Sequence, residues 1–145
     1  MSARDEEVPR FAPDGGCFGC SATNPAGLAL TFRRRGDTIG AAYAIPDRFH
    51  GAPGIAHGGI VATLLDEVSC AAVAFVAERF VVTGELNIRY HRGCPVETPL
   101  DLTARIVNDA HPRYAVVEAE VRDGETVVAR STGKFFYQAR PEPAP

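Results

Sequence analysis

Tryptophan is absent from the 145 residues, an absence that excludes little. Other absences exclude more. Fifteen lysines and arginines stand against eighteen aspartates and glutamates, a formal charge of -3, so there is no basic excess to form a nucleic-acid footprint or a polybasic membrane patch. No apolar run approaches the ~20 residues needed to span a bilayer. The opening stretch, MSARDEEVPRFAPDGG, lacks the apolar centre of a signal peptide. These features lead us to expect a cytoplasmic protein whose partner is neither nucleic acid nor membrane. Cysteine is sparse: Cys17, Cys20, Cys70 and Cys94, in a chain without an export signal, read as reduced thiols rather than a disulfide framework. There is no phosphate loop, no serine on a strand-to-helix elbow and no zinc-protease helix, which leaves those enzyme classes without a foothold.

What is present suits one domain, since 145 residues at 46% hydrophobic can bury a single substantial core. Residues 1–16 mix charge, proline and glycine, and the closing ARPEPAP alternates prolines that no helix or strand interior accepts. The domain is therefore expected over 17–139, between an N-terminal tail of residues 1–16 and a C-terminal tail of residues 140–145. GLALTFRRR and DTIGAAYAI read as a hairpin turning at Gly36-Asp37. RFHGAPGIA is an irregular loop. From Gly59 to about Glu78 the spacing of Ile60, Val61, Leu64, Leu65, Val68, Ala71, Ala72, Phe75 and Val76 is that of a helix. FVVTGELNIRYHR, PLDLTARIVN, YAVVEAEVRD and TVVARSTGKFFYQ then alternate like strands, with Asp123-Gly124 the firmest hairpin signal. One long helix amid about six strands is an α+β domain in which a twisted antiparallel sheet wraps the helix.

That helix carries Asp66 and Glu67 in an otherwise apolar run. Asp66 lies seven residues beyond Gly59, within ~20° of the same helical direction, whereas Glu67 is turned about 100° away. Ile60, Leu64 and Val68 flank the Asp66 direction, so this carboxylate sits at the edge of an apolar site, where desolvation raises its pKa toward that of a general base. The preceding His57-Gly58-Gly59 puts unpaired N–H groups and the positive dipole end at the helix start, suited to a carbonyl oxygen gaining charge. Donor and carboxylate are nevertheless roughly 10 Å apart along one helix. Two antiparallel helices about a dimer two-fold would bring the glycines of one chain to the aspartate of the other, which predicts a homodimer with shared sites.

PGIAHGGIVATLLDE, CFGCSATNPAGLALTF, LNIRYHRGCPVETPLDLTARIV and ARSTGKFFY together resemble hotdog-fold acyl-CoA thioesterases of the phenylacetyl-CoA (PaaI-like) type. The resemblance implies a hotdog fold, a dimer or tetramer, and hydrolysis of an acyl thioester to free acid and coenzyme A without a metal or other cofactor. It matches Asp66 to the catalytic carboxylate, Gly58 to the residue whose N–H binds the thioester oxygen, His57 to the motif histidine that arranges the site, and Thr83 to the hydroxyl residue that holds the attacking water or the carboxylate. His50 and Gly51 stand where relatives carry Asn or Gln, which makes His50 the replacement polar contact. Ala52 replaces a bulky aromatic and widens the entrance. We place Gly59 and Asn87 with His50 among the substrate-binding residues.

Arg89 and Arg92, beside His91, offer guanidinium forks suited to the phosphates of a nucleotide-bearing ligand; a solvated strand end is the competing reading, and the one preferred for Arg33, Arg34 and Arg35. Cys17 and Cys20 form a single CxxC with no second close pair among Cys70, Cys94 and the four histidines, so packing or a turn is expected there rather than zinc. Cys70 reads as a core thiol. The expectation is thus a thioester hydrolase with Asp66 as base or nucleophile. Its rivals are a non-catalytic acyl-CoA binder or sensor of the same fold, and a hotdog dehydratase, for which the required Asp/His pair is not found.

Overall fold

The computed structural model describes residues 5–9 and 15–140; the remainder of the two expected tails lies outside the described residues. The strands are β1 (Glu6–Glu7), β2 (Arg33–Arg35), β3 (Thr38–Ala44), β4 (Val81–Tyr90), β5 (Pro99–Asn108), β6 (Tyr114–Asp123) and β7 (Thr126–Tyr137), and the one α-helix is α1 (Gly58–Val76). All pairings are antiparallel, in the order β1-β2-β3-β5-β6-β7-β4. The helix follows β3 and the chain then crosses to the far edge of the sheet as β4. The sheet thereby wraps α1, which touches β3, β4, β5, β6 and β7.

The core forms where apolar alternation on the sheet meets the apolar face of α1. Val61, Leu64, Leu65, Val68, Ala72 and Val73 from the helix, Ile39, Leu100 and Leu102 from β3 and β5, and Val117, Val128 and Phe135 from β6 and β7 are almost completely buried. Burying the valine, leucine, isoleucine and phenylalanine side chains among them contributes about 1.5–3 kcal/mol each. By length and composition α1 would also pass for a membrane-crossing helix, contrary to the expectation that no apolar run comes near that length. Its buried residues are instead spent on the sheet.

The sheet has seven strands rather than about six because Glu6 and Glu7, assigned to the tail, pair with Arg34 and Arg33, and Asp5 meets Arg35 at 2.9 Å. Opposite charges face each other across this short ladder. The first expected strand, 27–35, is a strand only at its last three residues. Leu28, Leu30 and Phe32 do alternate into the core, but the Leu28 and Leu30 amides donate to the Phe18 and Gly19 carbonyls, at 2.8 and 2.9 Å. That segment pairs with the CxxC loop. Arg34 is not merely solvated: its guanidinium donates to the Phe75 carbonyl at 2.9 Å, where cationic charge complements a helix C-terminus. The helix closes at Val76 rather than Glu78, and Glu78, at φ 56, turns the chain out of it in the left-handed conformation.

Candidate active site

The start of α1 is held from two sides. The His57 amide donates to the Phe49 carbonyl at 2.9 Å, and His57 Nδ1 accepts from the Gly59 amide at 2.9 Å as the helix N-cap. A histidine thus does what serine or aspartate usually does at this position. The Ile60 and Val61 amides return to the His57 carbonyl. Among the described residues the Gly58 N–H has no acceptor, and Gly58 is exposed. The helix start therefore presents one free donor at its positive end. Tyr90, at the end of β4, donates its hydroxyl to the Gly58 carbonyl at 2.7 Å. Sequence reading missed Tyr90, because nothing in an alternating strand signals a bond to a residue 32 positions earlier.

Two turns further along, Asp66 is half-buried and Thr83 Oγ1 donates to Asp66 Oδ1 at 2.5 Å. A β-bulge between Thr83 and Glu85 interrupts the β4–β7 register here, a device that re-aims side chains next to sites. The skipped residue is Gly84, where a Cβ would lie 2.3 Å from the Phe136 ring. Burial raises the Asp66 pKa above the usual aspartate value, and the Thr83 hydrogen bond opposes that rise. Cys70 packs against the core as expected and also borders this site: it is half-buried, with Sγ 3.7 Å from Thr83 Oγ1, and burial followed by the Asp66 charge pushes its pKa up to about 12. The rise disfavours the thiolate, the nucleophilic form.

Glu67 faces away from Asp66, as the helical spacing requires, and meets the N-terminal loop, where Cys17 Sγ donates to its Oε1 at 3.7 Å. The two acids therefore serve different surroundings. His50 is exposed beside the helix start, bridged to Ala56, with Nδ1 held 2.6 Å from the Asp47 carbonyl of its own turn. Asn87, Arg89 and Arg92 are exposed. Asn87 and Arg89 alternate with Ile88 and Tyr90 and so occupy the opposite face of β4 from the Tyr90 contact to Gly58. Within one chain the fold thus brings together His57, Gly58, Gly59 and Tyr90, and separately Asp66 and Thr83. It does not join the two groups: eight residues of helix separate Gly58 from Asp66, about 12 Å of axial rise.

Comparison with known proteins bears on the family and the fold. A family model described as the thioesterase superfamily matches residues 53–130, more than half of the chain and the whole of α1. Acyl-coenzyme A thioesterase THEM5 of Mus musculus is 38% identical over 88 residues, which are 59% of this chain and 35% of that protein. The chain thus spans little more than a third of the curated relatives it matches. Among solved structures, the thioesterase superfamily protein RHA08564 superimposes with a TM-score of 0.72 at 26% identity, over 79% of this chain and 56% of that one. The smu.793 protein of Streptococcus mutans UA159, solved bound to acetyl CoA, gives a TM-score of 0.66 at 24% identity, over 73% of this chain and 85% of its own. The fold is the hotdog fold expected from the sequence.

Proposed function

Because the chain belongs to the thioesterase superfamily, we propose that it hydrolyses an acyl-coenzyme A thioester to the free acid and coenzyme A. The carrying observation is the half-buried Asp66 carboxylate oriented by the Thr83 hydroxyl, with burial raising its pKa. A positioned carboxylate of raised pKa is suited to take a proton from water. The names of the curated relatives and the acetyl CoA bound to a structural neighbour support the substrate class.

In this reading Asp66 removes a proton from water as the oxygen adds to the thioester carbonyl. The carbonyl oxygen becomes negative against the unpaired Gly58 N–H, a donor directed at charge that develops in the transition state. Collapse expels coenzyme A as a thiolate, which takes the proton back from Asp66. Both groups must reach one carbonyl carbon, so Gly58 comes from the partner chain. Support for a dimer lies in β4, a ten-residue strand at the edge of the sheet on which Val82 and Tyr90 are 46% and 48% exposed. An uncovered edge of that length is a template for pairing with a second copy. His57 and Gly59 shape the donor, and His50, Asn87, Arg89 and Arg92 are proposed to contact the coenzyme.

The test is thiol release from short, long and aromatic acyl-CoAs by the native chain and by Asp66→Asn. Hydrolysis by the former, reduced about a hundredfold or more in the latter, supports the proposal; binding without thiol release by the native chain would instead mark a non-catalytic binder. Single-turnover reaction in ¹⁸O water tests for direct attack by Asp66. Label in Asp66 itself means a mixed anhydride opened at the aspartyl carbonyl; label confined to the acid product fits general-base catalysis or an anhydride opened at the acyl carbonyl, and trapping of an acyl-enzyme by hydroxylamine tells these two apart.

A further inference from the structure

Cys17, Cys20 and Glu67 each place a ligand atom within 4.8 Å of the others, although Glu67 lies 50 residues from Cys17. We propose that these three residues form a binding site for a thiophilic divalent cation of the zinc class, clasping the N-terminal loop to α1 beside Asp66.

The geometry carries this. Zinc binds thiolate at about 2.3 Å and carboxylate at about 2.0–2.2 Å, so a tetrahedral site has S···O edges of about 3.6 Å. The Cys17 Sγ to Glu67 Oε1 separation is 3.7 Å, which leaves the pair already at ligand spacing. Counting cysteines and histidines alone falls short of a site; the missing donor is a carboxylate on another element. Two thiolates and one carboxylate are a donor set in which soft sulfur favours zinc over magnesium or calcium. Three protein ligands leave one position for an exchangeable group, and Cys17 is exposed.

The loop is built to deliver these donors. The Ser21 amide donates to the Cys17 carbonyl at 3.0 Å, and Phe18 and Gly19 accept from Leu28 and Leu30. Asn24 Nδ2 donates to the Gly16 carbonyl at 2.9 Å. At Gly19 a Cβ would lie 2.2 Å from Glu67 Cδ, so the approach of the carboxylate to the loop depends on glycine between the two cysteines.

The test uses the full chain, reduced, freed of metal and titrated with Co²⁺ as a spectroscopic substitute for zinc. The expected result is one cobalt per chain with thiolate-to-cobalt charge-transfer absorption, absent from the Cys17→Ser/Cys20→Ser variant and weakened about tenfold or more in Glu67→Gln, at least the scale on which lost outer-shell partners weaken a site. Charge-transfer absorption that survives the double substitution, or unchanged affinity in Glu67→Gln, overturns the proposal. A second measurement needs no variant: alkylation of Cys17 and Cys20 in the native chain, followed by mass spectrometry, should slow when Zn²⁺ is present. Equal rates with and without Zn²⁺, or a Cys17–Cys20 disulfide that persists under reductant, also overturn it.

Discussion

At the scale of single residues, the account depends on how Asp66 is held. The Thr83 hydroxyl donates to its carboxylate at 2.5 Å, and a hydrogen bond to a charged group is worth about 1.5–3 kcal/mol. If that bond orients the base in the transition state, Thr83→Val should lower kcat by about ten- to a hundredfold or slightly more. Thr83→Ser, which keeps the donor, should restore most of it. Steady-state kcat for the pair at one pH checks this; equal loss in both would mean that packing, not the hydroxyl, matters. Tyr90 acts on the other half of the site. Tyr90→Phe removes the bond to the Gly58 carbonyl, and because the ring is half exposed the change should cost about 0.5–1.5 kcal/mol of stability, read from the midpoint of urea unfolding. Asp66 was legible in the sequence, since a carboxylate among Ile60, Leu64 and Val68 contradicts the helical pattern around it. Tyr90 and the convergence of Glu67 on Cys17 were not, because both join residues more than thirty positions apart.

At the scale of elements, β4 to β7 match the expected segments closely. Their apolar alternation is regular and Gly93-Cys94-Pro95, Asp109 to Pro112 and Asp123-Gly124 punctuate it. Alternation of Leu28, Leu30 and Phe32 predicts a strand over 27–35, of which only 33–35 is one. Alternation reports which side chains are buried, not what the backbone pairs with, and here the partner is a loop rather than a strand. That loop is packed tightly enough to test. At Gly27 a Cβ would lie 2.6 Å from the Phe18 carbonyl oxygen, a backbone atom that cannot swing aside. Gly27→Ala should therefore destabilise the fold by about 1–3 kcal/mol, the usual scale of overpacking. A urea midpoint equal to that of the native chain would show that the loop yields freely. The short β1 is not legible in the sequence because two glutamates carry no apolar pattern; it joins the sheet through its backbone ladder to Arg34 and Arg33, beside the Asp5–Arg35 ion pair.

At the scale of the whole molecule, the central claim is that one active site draws on two chains, since a donor and a base about 12 Å apart on one helix cannot meet on one carbonyl. Subunit complementation tests it most directly. Asp66→Asn removes the base and Gly58→Pro removes the unpaired N–H. Proline suits this position: it is favoured at the first residue of a helix, the preceding His57 already has φ -58 and ψ 134, the extended backbone that a residue before proline adopts, and a Cβ at Gly58 meets the Tyr90 ring at 3.7 Å, ordinary contact. Each variant alone should be nearly inactive. Co-expressed as heterodimers, they form one site with both lesions and one with neither, and the account predicts thiol release per heterodimer at about half that of the native dimer. If folded heterodimers release thiol no faster than the two variants measured separately, each site is built within one chain and the shared-site account is contradicted.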